Sequence, residues 1–129
     1  MNKRSLLKAG GAALAVGWVS SGEARASTAR VVRIAELEID PAHMDAYQVA
    51  VKEEMEISVR VEPGVLAIYA VAEKDAPTKL QFFEIYADEA AYRSHIVSPH
   101  FRKYFETTKN MIVSRKLIDT VPVQLSAKQ

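Results

Sequence analysis

The chain has 129 residues, a formal net charge of +1 and no cysteine. Without cysteine there are no disulfides, thiolate metal ligands or cysteine nucleophiles. The near-neutral balance argues against nucleic acid, whose binding needs clustered Lys and Arg to displace counterions. The length suits one domain around one core.

The first 26 residues, "MNKRSLLKAGGAALAVGWVSSGEARA", have a basic start, an apolar Ala/Gly/Leu/Val run and the small-residue ending Ala24-Arg25-Ala26. This is the layout of an export signal. The run is shorter and richer in glycine than the ~20 apolar residues a spanning helix needs, so no stable membrane insertion is expected after cleavage. Asn2-Lys3-Arg4-Ser5-Leu6-Leu7-Lys8 resembles the twin-arginine export motif, with lysine in place of the first arginine. A periplasmic protein is therefore expected. Removal of residues 1–26 leaves a domain over 27–129, takes away the only tryptophan, and moves the formal charge to −2, because four basic residues and one acid depart.

"RVVRIAELEI" (30–39) alternates, with Val31, Arg33, Ala35, Leu37 and Ile39 on one side, and predicts a strand. Asp40-Pro41 reads as an N-cap with proline at the first helical position. Met44, Tyr47, Val51, Met55 and Ser58 then recur at spacings of three and four, the stripe of an amphipathic helix over 42–61. Within it "KEEMEISVR" reads as a solvated face, and Lys52 and Glu56 as an i,i+4 pair. Glu62-Pro63-Gly64 ends the helix. "VLAIYAVAE" (65–73) and "KLQFFEIYA" (79–87) predict a hairpin with a five-residue loop at 74–78. Asp88 caps a helix over 89–97. Ser98-Pro99 repeats the signal and opens another over 99–109. A last strand falls within 111–125, closed or bent at Val121-Pro122.

The order is β-α-β-β-α-β, an α+β, ferredoxin-like arrangement with helices on one face of an antiparallel sheet. The other face also carries Val, Phe, Leu or Tyr side chains. An apolar second face marks a partner surface, most simply a homodimer built sheet against sheet.

"VEPGVLAIYAV" and "FFEIYADEAAYRSHIVSPHFRKYF" together resemble the antibiotic biosynthesis monooxygenase (ABM) family, including its quinol monooxygenase-like members. The resemblance rests on Glu62-Pro63-Gly64, Glu84, the aromatic at 86, His95, and Ser98-Pro99-His100-Phe101. It implies a dimeric α+β barrel with a pocket in each subunit, and oxidation of a phenolic or quinol substrate by O₂ with no cofactor, neither metal nor flavin. Two features depart from the family. Many members have Trp where this chain has Tyr86. The haem-degrading branch also uses an Asn in strand one and a Trp near strand three, both absent from the domain.

His95 and His100 are five residues apart and separated by Ser98-Pro99. Helical metal ligands want a spacing of three or four, and no carboxylate lies at that spacing from either histidine, so the spacing disfavours a metal. His95 suits proton transfer better. Ala91 and Tyr92 share its helix face, which points it inward across from Phe82, Glu84 and Tyr86. An imidazole titrating near pH ~6.5 accepts a phenolic proton at neutral pH. His95 is accordingly the candidate general base. Glu84 either orients it or pairs with Arg93 or Arg102. Tyr69, Phe82, Tyr86, Tyr92 and Phe101 are candidate substrate contacts. His100 reads as a helix-start residue and His43 as solvated. The competing roles are a dimeric protein that binds a small aromatic or haem-like ligand without turnover, and a structural protein with a vestigial pocket.

Overall fold

The computed structural model describes residues 29–129. The export segment expected over 1–26 lies outside the described residues. Nine extended residues form β1 (Val31–Ile39), followed by a 3₁₀ turn (Pro41–His43) and α1 (Met44–Val61). The hairpin β2 (Val65–Glu73) and β3 (Ala76–Tyr86) comes next. Two short helices, α2 (Glu89–Ile96) and α3 (Pro99–Thr108), then lead to β4 (Ile112–Asp119). The strands form one antiparallel sheet in the order β2-β3-β1-β4, the ferredoxin-like arrangement. Among the described residues no helix is long and apolar enough to cross a membrane.

The amphipathic pattern positions the core. Leu37 and Ile39 of β1, Ile68 of β2 and Leu80, Phe82 and Tyr86 of β3 turn their side chains to the helices. Tyr47 and Val51 of α1 meet them from the other side. The Tyr47 and Tyr104 hydroxyls, 2.7 Å apart, join α1 to α3. Along α1 the buried positions are Tyr47, Val51, Glu54 and Ser58, with Met44 and Met55 half-buried beside them. The stripe is therefore as expected except at Glu54, which leaves the solvated face assigned to it.

Three local expectations change. Asp40 does cap, accepting from the Ala42 amide at 3.0 Å, but it caps the 3₁₀ turn, and the α-helix proper starts at Met44. The hairpin loop is two residues, Lys74 and Asp75, because Ala76 already pairs with Glu73. Pro77 is tolerated in β3 because β1 pairs with β3 only as far as Lys79, so the missing N–H removes no bond to that neighbour. Gly64 does not serve a left-handed turn, since among the described residues none has positive φ. It serves close approach: a Cβ at Gly64 would lie 2.4 Å from the Cβ of Ala91, where α2 crosses the start of β2.

Candidate functional site

The site begins where three helix ends meet. Proline at 63 stops α1, and Glu62 takes an extended conformation as its C-cap. Asp88 opens α2 by accepting from the Ala91 amide at 2.8 Å. Ser98 then works on both sides of a break. Its hydroxyl and its amide donate to the His95 carbonyl at 2.7 and 3.0 Å, closing α2. The same hydroxyl accepts from the Phe101 amide at 3.3 Å, opening α3. The break that separates the two histidines in sequence thus folds them round to a common partner.

That partner is Glu62. His95 Nδ1 is 2.8 Å and His100 Nε2 2.7 Å from the same Glu62 Oε2. The other nitrogen of His95, Nε2, is 3.2 Å from Oε1 of Glu54. Glu54 is itself fixed by the Ser58 hydroxyl at 2.8 Å. His95 is 3 % exposed and packs between the rings of Tyr86 and Phe101, at centroid distances of 5.4 and 5.2 Å. Glu62, His95 and His100 present three ligand atoms within 4.8 Å of one another, a donor set able to hold a metal ion.

The carboxylates around His95 are not alike. Burial pushes Glu54 up, and the hydrogen bond from Ser58 and the nearby imidazole only partly oppose it. Burial also pushes Glu84 up, against the hydrogen bond from Tyr86. Burial would raise Glu62 as well, but hydrogen bonds from His95 and then His100 outweigh it and hold the carboxyl below its usual range. Glu62 is therefore the ionised partner, and Nδ1–H of His95 donates to it. Nε2 is left on the side of Glu54.

Beside His95 and Glu54 lies a cavity of about 110 Å³. Phe82 and Glu84 of β3, Ala35 and Leu37 of β1, and Phe101 and Tyr104 of α3 also line it, with Arg115 and Leu117 from β4. The wall is chiefly apolar, with five groups that donate or accept: His95, Glu54, Glu84, Tyr104 and Arg115.

His95, Glu84, Phe82 and Phe101 of the expected site thus come together around one cavity. The rest separate, each for a structural reason. Tyr69 stands opposite Phe83 in the β2–β3 register, on the face of the sheet turned away from the helices, and is 64 % exposed. Tyr86 is fully buried beneath the cavity, its hydroxyl donating to Glu84 at 2.5 Å. Tyr92 packs edge-on against Tyr86 at 5.2 Å, with the Arg33 guanidinium 3.7 Å above its ring. Glu84 does not orient His95, since it accepts from Tyr86. Nor does it pair with Arg93 or Arg102, both of which are exposed. The carboxylates that reach the imidazole are Glu62, hydrogen-bonded to Nδ1, and Glu54, 3.2 Å from Nε2. His100, expected only to start its helix, shares Glu62 with His95, whereas His43 is exposed as expected. The signal for Glu54 was present, as it lies three residues after Val51 and four before Ser58. Glu62 stands in the Glu-Pro-Gly motif, which marks the helix stop and part of the family resemblance but by itself gives the carboxylate no role.

The sequence profile of the antibiotic biosynthesis monooxygenase family matches residues 30–107. A solved structure from Bacteroides thetaiotaomicron, provisionally named an antibiotic biosynthesis monooxygenase, is 48 % identical. The match covers 80 % of this chain and 98 % of that one with a TM-score of 0.75. A provisionally named monooxygenase from Lactobacillus acidophilus is 33 % identical over 73 % of this chain and 45 % of its own, with a TM-score of 0.71. A third structure, from Nitrosomonas europaea, shares the fold at 21 % identity over 73 % of this chain and 99 % of its own, with a TM-score of 0.69. No curated protein matches the chain.

Proposed function

Because the chain belongs to the antibiotic biosynthesis monooxygenase family, we propose that it is a monooxygenase that oxidises a single-ring phenol or quinol with O₂, without a cofactor and with His95 as the base. One observation carries the reading: a buried imidazole, hydrogen-bonded at Nδ1 to Glu62 and with Nε2 3.2 Å from Glu54, forms part of the wall of an apolar cavity of ring size. A cavity of about 110 Å³ is somewhat below the roughly 150 Å³ of an engineered cavity that binds benzene. It matches one ring and is far too small for a tetrapyrrole, which disfavours the haem-like ligand.

In this proposal Glu62 fixes the ring through Nδ1–H, and the substrate hydroxyl takes the place of Glu54 beside Nε2 and gives its proton there. The resulting phenolate passes an electron to O₂, the two radicals combine to form a carbon–oxygen bond, and the O–O bond then breaks. The balance closes without an external reductant. The ring gives up four electrons, one oxygen atom joins it, and the other leaves as water. Phe82, Phe101 and Leu37 keep bulk water from the anion, and Arg115 supplies the positive charge at the cavity wall. A homodimer through the outer face of the sheet, and export directed by residues 1–26, belong to the same proposal. The first is supported by the exposed Tyr69, Val71 and Phe83, the second by the tripartite N-terminal sequence. Mass measurement in solution and N-terminal sequencing of protein from fractionated cells test these two.

Oxygen uptake by the purified protein with a panel of one-ring phenols and quinols tests the reaction. Uptake with at least one of them is expected, and His95→Ala should lower it by about 10²–10⁴-fold. Absence of uptake with every compound would remove the monooxygenase reading, and retention of a ring compound without uptake would leave a binding role. An unchanged rate in His95→Ala would remove His95 as the base.

A further inference from the structure

We propose that Glu62, His95 and His100 form a binding site for a divalent transition-metal ion of the zinc class. The three donors come from three different helix ends yet lie within 4.8 Å of one another. Two imidazole nitrogens converge on one carboxylate oxygen, at 2.8 and 2.7 Å. A tetrahedral ion with ligands at about 2.0–2.1 Å sets its donors roughly 3.3 Å apart. Seating one therefore needs the two imidazoles to withdraw from Glu62 by about half an ångström, with the ion in place of the two N–H protons. Two nitrogens and one carboxylate suit zinc and its first-row neighbours, not the all-oxygen shells of magnesium or calcium.

A second feature is independent of the trio. A metal-bound imidazole characteristically donates its other N–H to a carboxylate, which sets the ring and strengthens the ligand. His95 has such a carboxylate: Glu54 is 3.2 Å from Nε2 and is held by Ser58 at 2.8 Å. Further support comes from the rigidity of the frame, since Ser98 ties the end of α2 to the start of α3 between the two histidines. Access is available as well. The side chains of His100 and Glu62 keep 11 % and 15 % of their surface exposed against 4 % for His95, so an ion reaches the trio from the solvent side. Three protein ligands leave a fourth position for water or another small ligand.

The site overlaps the proposed oxidation machinery at Glu62 and His95, and its effect on turnover rests on that reading. With an ion on Nδ1, the ring carries its proton on Nε2, and the loaded protein no longer accepts a proton from the cavity. Zinc should then suppress any oxygen uptake, with relief by a chelator.

Binding itself is read without substrate, so its result stands whatever the oxidation assay shows. Full-chain, tag-free protein dialysed against chelator is titrated calorimetrically with Zn²⁺ and, separately, Mg²⁺. One Zn²⁺ per chain and no Mg²⁺ binding are expected. Glu62→Gln and His100→Ala should each weaken Zn²⁺ binding by more than tenfold, and Glu54→Gln by about 10–100-fold. His43→Gln, at an exposed histidine, should leave it unchanged. Absence of saturable Zn²⁺ binding, or equal binding by His100→Ala, would overturn the proposal and make the trio a hydrogen-bonded clamp between helices. Should a variant fail to fold, Co²⁺ absorption of the unaltered protein decides. Visible bands of four-coordinate cobalt, displaced by Zn²⁺, support the site, and their absence refutes it.

Discussion

On the face of the sheet turned to the helices, Ala70, Phe82, Ala35 and Leu117 stand in one row across all four strands. On the opposite face the neighbouring row is Tyr69, Phe83, Ile34 and Ile118. Both rows are apolar, but their surroundings differ. Phe82 is 5 % exposed beneath α1 and α3, although Ala70 and Leu117 on the edge strands of its row are exposed, whereas Phe83 is 38 % and Tyr69 64 % exposed. Polar groups divide the same way. On the inner face Glu54, Glu84 and His95 are each taken up by a named partner within the chain. On the outer face the next row is Val71, Gln81, Glu36 and Lys116, a polar border to the apolar one. The difference teaches that the chain's own helices cover the central strands of the inner face, while the outer face has the make-up of a surface that something else covers.

The sharpest test of this contrast is a pair of adjacent truncations. Phe82→Ala should lower stability by about 3–5 kcal/mol, because it opens a hole between sheet and helices. Phe83→Ala should cost the isolated subunit clearly less, on the order of 1 kcal/mol, since over a third of the residue is already in water. Urea unfolding of both at subunit concentrations low enough to exclude assembly measures the gap, and equal costs would erase the distinction between the faces.

The next effect comes from the seam between sheet and helices. Gly64→Ala places a methyl 2.4 Å from the Cβ of Ala91, both attached to backbone that has little freedom to move apart. Overpacking of this kind costs about 1–3 kcal/mol. Ala91 is one helical turn before His95, so the push travels along α2 to the imidazole. Thermal unfolding should show the loss, and His95 resonances in a proton–nitrogen spectrum should shift. An unchanged melting temperature would mean that α2 is free to move away from β2.

Most of the architecture was legible in the sequence, and the reasons are local. Alternation in "RVVRIAELEI" depends only on the period of a strand, and Asp88 and Ser98 cap their helices by accepting from amides three residues away. The candidate site was half legible for the opposite reason. His95 pointed inward because its own helix face says so. Its orienting carboxylates lie 33 and 41 residues back in the chain, and nothing local couples them to it. Glu54 sat at a buried helical spacing, but a glutamate is rarely buried without a partner, and only the fold supplies one. Tyr69 was misplaced because the register irregularity near Val65 and Ala67 sets which β2 side chains face the helices.

A smaller effect tests whether the inner polar groups are there for stability. Burial raises the Glu84 carboxyl. For such a group the stability contribution is fully present below the unfolded carboxylate value, near ~4.3, and is lost as pH rises towards the higher folded value. Glu84→Gln still accepts the Tyr86 hydroxyl and carries no charge to bury. It should therefore be more stable than the unaltered protein at neutral pH, with the gain shrinking to nothing on acidification. A loss of stability at neutral pH would show that the ionised carboxylate is itself a stabilising element of the inner face.

The outer face gives the smallest effect on the fold and the clearest one on assembly. Tyr69→Glu puts a charge at a position that is already mostly solvated, so chemical unfolding of the isolated subunit should change by no more than about 0.5 kcal/mol. In a sheet-against-sheet homodimer the same residue is desolvated beside Phe83, and a carboxylate there has no cation directly across the register. Light scattering over a concentration series should then find the unaltered protein as a dimer and Tyr69→Glu as a monomer with native circular dichroism. A monomeric unaltered protein would leave the apolar outer row to a different partner. A dimer that survives the substitution would place the contact elsewhere, with the groove between Ile96, Phe101, Phe105 and Arg115 on the far side of α3 as the next surface to alter.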